Sequence, residues 1–432
     1  MGRASTLGLA VALALATVPV GRGQAQSTAL TGDVTVDQLV ARAVAENPDI
    51  QAAQADVQAA RGRLLQAGLR PNPMLELGGQ KALGTDNNLM VGVTLPLDLN
   101  RRKEGRVGVA ERELEMKLAQ VTDRERRLRA EVRMKAGDVL GARRDLEVTD
   151  DLLRVNREAL RLVGERARRG AIPSIDENLL LVEVNRLDAN RSMVESRVEV
   201  FTLQLKALTA WPSDGPLVLT GDLGAPAPVP DRAAGVTRAL DRRADLRVAQ
   251  ADAAMARARI LKEQAEGRWD ASINVNYQRQ DFGFMGLSGI TDRGGTRAIQ
   301  DVFHYFGGAV TITLPVRNQN QGNVAAARAE ATAADRRIEL ATLVIRQEVD
   351  AAFAQYEAAQ RSLEIYARGV REVARQNLDV VRQSYQLGRG TLLDVIAEQR
   401  RYIEVEMGYT EALKQVYSAA VDIERAVGAA EP

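Results

Sequence analysis

Three landmarks in this chain occur twice, in the same order. Ala53-Gln54-Ala55-Asp56 returns letter for letter as Ala249-Gln250-Ala251-Asp252. Leu95-Pro96-Leu97 returns as Leu314-Pro315-Val316, each closing an alternating Val/Thr/Leu run. Gly170, with Asp176 six residues on, returns as Gly388 with Asp394. Positions 53 and 249 are 196 apart, 95 and 314 are 219 apart, and 170 and 388 are 218 apart. The register therefore holds except for one insertion of about 23 residues in the second copy. A tandem duplication constrains the fold before any single residue is considered, because each copy must build the same supersecondary unit.

Aromatic residues make up 4% of the 432 positions, against 45% hydrophobic and 27% charged. The bulk is Ala, Leu, Val, Glu, Arg and Gln, which is the composition of long helices that approach closely through small residues. Formal net charge is +1, so no basic field invites nucleic acid. Residues 1–25 read as a secretory signal peptide: Arg3, an uncharged apolar run over 7–20, then Gly23-Gln24-Ala25 as a small-residue cleavage site. Its removal takes away Arg3 and Arg22 and leaves a mature charge of about −1. The chain has no Cys, so no disulfide framework and no N-terminal lipid anchor are expected. No later stretch offers about 18 apolar residues in a row, and no transmembrane helix is expected.

Along the chain, Thr35-Val36-Asp37-Gln38 has the spacing of a capping box and opens an apolar stripe through Leu39, Val40 and Ala43. Pro48 interrupts, a helix follows over 50 to about 69, and Arg70-Pro71-Asn72-Pro73 stops it. Two strand-like runs, 74–80 and 89–97, lead into a helical pattern over 101–169, about 100 Å long at 1.5 Å per residue. Gly170-Ala171-Ile172-Pro173 breaks it, and a helix returns over 174–210. A Pro/Gly-rich connector over 211–230 holds a short strand at Leu217-Val218-Leu219. The programme then restarts. It predicts a helix over 233–267, a strand over 271–280, a mobile Gly-rich loop over 281–303 and a strand over 306–315. A long helix over 323–387, a turn at 388–390 and a helix over 391–427 complete it.

Two patterns say how these elements pack. Val349, Tyr356, Leu363 and Val370 repeat every seven residues, and Ala352, Ala359, Tyr366, Val373 and Val380 repeat likewise three positions on. That is the a/d seam of long helices packed side by side, interrupted by Asn377. In the strands, Ile273, Val275 and Tyr277 alternate with Asn274, Asn276 and Gln278, giving one apolar and one polar face. This suits a membrane strand as well as a small soluble sheet over a helical core. Four strands cannot close a membrane barrel, and an open edge cannot sit in lipid. If the strands span a membrane, several copies must share one barrel. The implied division is signal peptide 1–25, first repeat 26–210, connector 211–232, second repeat 233–428 and tail 429–432. The strand pairs lie within 74–97 and 271–315, and the hairpin tips near 170–176 and 388–394.

The order helix, strand pair, very long helix, Gly turn, returning helix, together with the leader, resembles the TolC-like outer-membrane efflux protein family. The segment from Ser384 through Gly388-Arg389-Gly390 to Asp394-Val395 resembles that family's second periplasmic tip. Ala67-Gly68-Leu69-Arg70-Pro71-Asn72-Pro73 and the run from Leu314-Pro315 to Gly322 resemble its CzcC-type cation-efflux branch. The resemblance implies a mainly α fold with a small β part, in which tandem long α-helical hairpins form a periplasmic α-barrel. Four strands per chain would join a homotrimeric, 12-stranded outer-membrane β-barrel. It further implies a periplasmic adaptor and a proton-driven inner-membrane pump as partners, outer-membrane lipid around the strands, and localisation in the outer membrane reaching into the periplasm.

Transferred by motif, Asp176, Tyr385, Arg389 and Asp394 fall at the periplasmic gate, and Gly170, Gly388 and Gly390 at the adaptor-docking tips. Two positions depart from the pattern. Gly390 stands where an arginine often helps latch the gate, with Arg389 beside it, and Ala397 stands where a second acidic ring would be. Each residue also has a plainer reading. Asp at a helix start complements the helix dipole, Gly ends helices, and a Tyr at heptad-like spacing packs. His304 is the only His, so no metal-ligand cluster or resident cofactor is spelled out, and no catalytic set or phosphate loop is present. The expected function is a passive exit duct, not an enzyme, with metal cations as cargo. The rivals are a duct for organic toxicants or type I secreted polypeptides and, from another class, a periplasmic coiled-coil adaptor or scaffold.

Overall fold

The computed structural model describes residues 33–81, 86–225 and 229–428; the expected leader and the tail lie outside them. The first half opens with a three-residue strand, β1 (Asp33–Thr35), and helix α1 (Val36–Glu46). Thr35 caps α1 in the capping box its sequence implies: its side chain accepts from the Gln38 amide, and Gln38 returns the bond. Helix α2 (Pro48–Gly68) follows, then strands β2 (Met74–Lys81) and β3 (Asn87–Pro96), the long helix α3 (Arg102–Arg168) and the returning helix α4 (Ser174–Leu208). Strand β4 (Val218–Thr220) closes this half by pairing in parallel with β1, so the connector comes back to the chain's start.

The second half repeats the plan with α5 (Arg232–Arg242), α6 (Ala244–Glu266), β5 (Asp270–Ile290) and β6 (Thr296–Thr313). Then come α7 (Gln321–Ile365), a π turn at Tyr366–Val370, α8 (Arg371–Gln386) and α9 (Leu392–Val427). The duplication is written into the backbone. Asn47 and Arg243, 196 apart, break the paired helices with φ/ψ of −65/126° and −64/127°. Arg101 and Asn320, 219 apart, start the long helices from left-handed conformations, φ 64° and 60°. Gly170 and Gly388, 218 apart, end them at φ 74° and 73°.

Four expectations are corrected. The helix over 233–267 is two helices. The break at Arg243 had no Pro to announce it and is fixed by a local bond to Asp245 and tertiary bonds to Glu348 and the Ala426 carbonyl. The helix over 323–387 is interrupted by the π turn. A π turn holds one residue more than an α turn, so the inward phase of the helix moves on by one. Ala374 and Leu378 are buried, whereas Val373 and Val380 of the expected seam are 52% and 61% exposed. Finally, 281–303 is no loop: β5 runs to Ile290, β6 starts at Thr296, and the two pair through most of that segment.

The four long strands form one antiparallel sheet in the order β2-β3-β5-β6, which leaves β2 and β6 as unpaired edges. Below it the helices pack in a row, α2 on α3, α3 on α6, α6 on α7; further down α4 flanks α3, α3 flanks α9, and α9 packs on α7 and α8. The two halves have matching cores near the breaks. In the first, Leu39, Ile50, Val132, Val139 and Leu205 are fully enclosed. In the second, Ile345, Val349, Phe353 and Ile423 do the same work. Each such side chain contributes about 1.5–3 kcal/mol of transfer free energy. Among the described residues no helix is long and apolar enough to cross a membrane.

Candidate functional site

The tips are built by the same local rule in both halves. A long helix ends with Gly in the left-handed region, where an amide reaches back five residues along the turn: Ala171 N–H to the Arg166 carbonyl at 2.9 Å, Arg389 N–H to the Ser384 carbonyl at 2.9 Å. A side chain would be strained at Gly170 or Gly388 because of φ, although both face open space. Gly390 has room for a Cβ at ordinary contact from the Tyr385 backbone.

The returning helices start differently. Thr391 caps α9 in a second capping box, its hydroxyl accepting from the Asp394 amide at 3.2 Å. The Asp394 carboxylate accepts from the Thr391 amide at 3.0 Å and from its hydroxyl at 2.6 Å. Those bonds hold the exposed Asp394 carboxyl below its ordinary pKa, so it is charged at neutral pH. At α4 the cap is Pro173, with no side-chain bond; Asp176 is half-buried and its amide donates to the Pro173 carbonyl.

Tyr385 sits between the two hairpins, against Val163 and Leu180 of the first and Leu392 and Ile396 of the second. Burial raises its phenol pKa, and the nearby Asp176 charge adds to the rise. The structure therefore brings Tyr385 and Asp176 together across the hairpins. Asp394 is committed to its own helix cap, and Arg389 is exposed, with no ion pair among the described residues. Beside Tyr385 lies a groove of 570 Å³ between the hairpins, lined by Arg166, Arg382, Asn156, Gln399 and apolar residues. Burial pushes the Arg382 guanidinium down, opposed by Asp379. Deeper in the hairpins Glu183, 1% exposed, is gripped by Arg186 and Arg400 at 2.6 and 2.7 Å.

Sequence reasoning missed these residues. Gln399 was the most readable: it lies on the buried stripe Leu392, Ile396, Gln399, Ile403 of α9, a polar residue at an apolar position. Glu183 shares a buried stripe with Leu180, Val184 and Leu187; Arg186 follows it at helical spacing, but Arg400 comes from another helix and leaves no sequence signature. No group of three or more His, Cys, Asp or Glu able to hold a metal exists among the described residues. His304 is on β6, with Nδ1 2.7 Å from the Tyr277 hydroxyl.

The sheet is the other functional surface. On one face Leu77, Val91, Tyr277 and Phe306 lie side by side across all four strands, as do Leu75, Val93 and Val275. Leu75, Leu77, Val275, Phe306 and Val310 are 61–84% exposed, so none of the described residues covers them. The opposite face carries Glu76, Asn88, Thr94, Asn274 and Gln278, with Asn274 donating to the Thr94 hydroxyl at 2.8 Å. An uncovered apolar face opposite a polar one, with both edges open, is the signature of a sheet completed by other copies and by a non-aqueous surround.

A four-stranded, open-edged sheet carried on two long helical hairpins defines the class: a duplicated helical-hairpin channel protein. The model of the outer membrane efflux protein family matches residues 39–210 and 235–429. The chain belongs to that family. It is 22% identical over 402 residues to the cobalt-zinc-cadmium resistance protein CzcC of Cupriavidus metallidurans, covering 92% of this chain and 90% of that one. Among solved structures it superposes on CusC with a TM-score of 0.74 at 15% identity, covering 93% of this chain and 96% of that one. On the outer-membrane channel OprN the score is 0.73 at 19% identity, covering 91% and 90%. The fold class read from the sequence, mainly helical with a small β part on tandem long hairpins, holds.

Proposed function

We propose that this chain is the outer-membrane exit duct of a tripartite efflux system and that it works as a homotrimer. Three copies pair β6 of one with β2 of the next and close a 12-stranded barrel, its apolar face in lipid and its polar face on the lumen. The observation that carries the reading is the open four-stranded sheet with one largely uncovered apolar face, since lipid tolerates no unpaired strand edge. The repeats 26–210 and 233–428, joined by the connector 211–232, supply the helical tunnel that reaches into the periplasm. Transport is passive and needs no catalytic group here; a proton-driven inner-membrane pump supplies the motive force through a periplasmic adaptor.

The tips at Gly170, Gly388 and Gly390 form the adaptor-docking end. Asp176, Tyr385, Arg389 and Asp394 form the gate, with Tyr385 latching between hairpins and a three-fold ring of charged Asp394 favouring cations at a narrow aperture. Metal cations are the proposed cargo, supported by the likeness to a cobalt-zinc-cadmium resistance protein across nearly the whole chain. Native mass in detergent, with and without heating, tests the assembly. A heat-sensitive species at three chain masses is expected, and a water-soluble monomer would leave an adaptor or scaffold in its place. Growth of a deletion strain on cobalt, zinc and cadmium against organic toxicants then tests the cargo: sensitivity to organics alone would sink the metal assignment.

A further inference from the structure

The two faces of the sheet exchange character partway along β5 and β6. Up to Tyr277 and Phe306 the uncovered face is apolar; one pair further on β5 and β6 turn polar, with Arg279 opposite His304 and beside Leu89 of β3, then Asp281 opposite Val302. Arg279 and Asp281 are themselves ion-paired at 3.1 Å, and Lys81 and Asn87 end the neighbouring strands at the same level and on the same face. The lipid-facing surface therefore stops there, marked by the packed rings of Tyr277 and Phe306.

The other face changes in the opposite sense at the same height. Ser272, Asn274, Asn276 and Gln278 line it below; above come Phe303 opposite Gln280 and Phe282 opposite Asp301, next to Tyr305. Phe282 meets Phe303 edge-on at 6.4 Å, and Phe303 stacks on Tyr305 at 6.4 Å. All three rings remain 38–48% exposed in the single chain. Aromatic rings are out of place on the wet face of a sheet unless that face narrows onto something apolar, and here they sit only where the outer face has left the lipid.

We infer that Phe282, Phe303 and Tyr305 of each copy form an aromatic collar that narrows the external mouth of the duct and sets the size of solute that passes it. This rests on the trimeric barrel proposed above, which puts the polar face on the lumen. The collar is carried by the paired extension of β5 and β6 that the sequence had presented as a loop, so it is a hydrogen-bonded rim. Its apolar rings resist entry of bulky polar solutes from outside, while small solutes pass.

The absence of native Cys gives a direct test. Ser272→Cys puts a lone thiol on the luminal face at the base of β5, below the collar. Intact cells are treated from outside with maleimides on polymers of increasing size, and the largest that labels the thiol is read. The cut-off should rise when Phe282→Ala, Phe303→Ala and Tyr305→Ala are combined, and stay put for Phe306→Ala, an aromatic on the same strand facing lipid. An unchanged cut-off in the triple variant, or an equal rise with Phe306→Ala, overturns the collar. A heat-sensitive trimer in every variant keeps that result separate from failure of the duct itself; if the parent forms no trimer, the duct and the collar fall together.

Discussion

At the break between the first two helices of each half, Asn47 and Arg243 share φ and ψ and little else. Asn47 is followed by Pro, caps α2 through the Asp49 amide and ties its own amide to the Leu208 carbonyl at 2.9 Å. Arg243 has no Pro beside it; it is 3% exposed and spans Asp245, Glu348 and the Ala426 carbonyl. Both side chains thus tie the break to the end of the returning helix in their own half, one by an amide and the other by a guanidinium. The duplicated units conserve a backbone path and a set of orphan carbonyls to be satisfied, and leave the chemistry that satisfies them free to drift. The long helices show the same divergence: α3 runs unbroken, while α7 and α8 are separated by a π turn.

The sharpest way to break this comparison is to delete one residue from each long helix. Each residue turns a helix by about 100°. Removing Asp151 from unbroken α3 would swing Leu152, Leu153 and Asn156 off their buried stripe, and with them the rest of the hairpin. The expected cost exceeds about 4–5 kcal/mol, beyond most single changes. Removing Gly369 from the π turn should instead convert it to plain α-helix and leave Ala374 and Leu378 facing inward. Thermal unfolding followed by circular dichroism decides: comparable losses from the two deletions would mean that the π turn is not the extra residue it is taken for.

A smaller contrast comes from the glycines that end the second helix of each half. At Gly267 a Cβ would land on the Gln319 backbone carbonyl, in the segment that leads into α7. Gly68 has nothing within 4 Å. Gly267→Ala should therefore cost about 1–3 kcal/mol through overpacking against backbone, whereas Gly68→Ala should gain up to about 1 kcal/mol. Melting curves of the two variants check the sign as well as the size.

These contrasts also mark what the sequence could and could not tell. The Pro48 break, the tip glycines and the strand pairs were legible because Pro, Gly and period-two alternation act locally. The Arg243 break was not, because a buried arginine reads locally as one more helical residue. The π turn was hidden for a related reason: one row of the heptad count runs through Tyr366 to Val380 with only Asn377 breaking the other row, and the burial of Ala374 and Leu378 in place of Val373 and Val380 reveals the shift. Glycines at 283, 286, 289, 294 and 295 suggested one long loop, but Gly283 and Gly289 pair with β6 and only the stretch around Gly294 and Gly295 turns. At the tips the residues were readable from a motif, and the Thr391–Asp394 cap is a local three-residue pattern, but the influence of the Asp176 charge on Tyr385 depends on the two hairpins meeting.

The ion pairs across the hairpins sharpen the comparison further. Asp188 and Glu406, 218 apart, each bridge to an arginine on the preceding long helix, Arg157 and Arg371, both at 2.7 Å. The first pair is in water, with Asp188 44% exposed; Glu406 is 2% exposed, and Arg371 and Arg144 sandwich Tyr409 beside it. Asp188→Ala should cost under about 1 kcal/mol. Glu406→Ala should cost about 2 kcal/mol, less than for a fully buried pair because Arg371 still reaches solvent. A double-mutant cycle with Arg371→Ala isolates the pair, and equal coupling in the two halves would contradict the burial argument.

The smallest effect separates the two tips by pH. At the second tip, the Thr391 bonds stabilise the ionised form of Asp394 and lower its pKa from the ordinary 3.8. A carboxyl whose folded pKa lies below its unfolded one adds stability above the unfolded value and loses it as pH falls through the folded value. The first turn of α9 should thus hold at pH 5 and loosen below about pH 4, on this shift. The first turn of α4, which has no side-chain cap, has no such acid-labile bond. Amide exchange at both tips across that range should show the acid step at residues 391–394. Asp394→Asn should abolish the step and leave 174–177 unchanged. A step of equal size in the Asn variant would mean that the capping box is not what holds that turn.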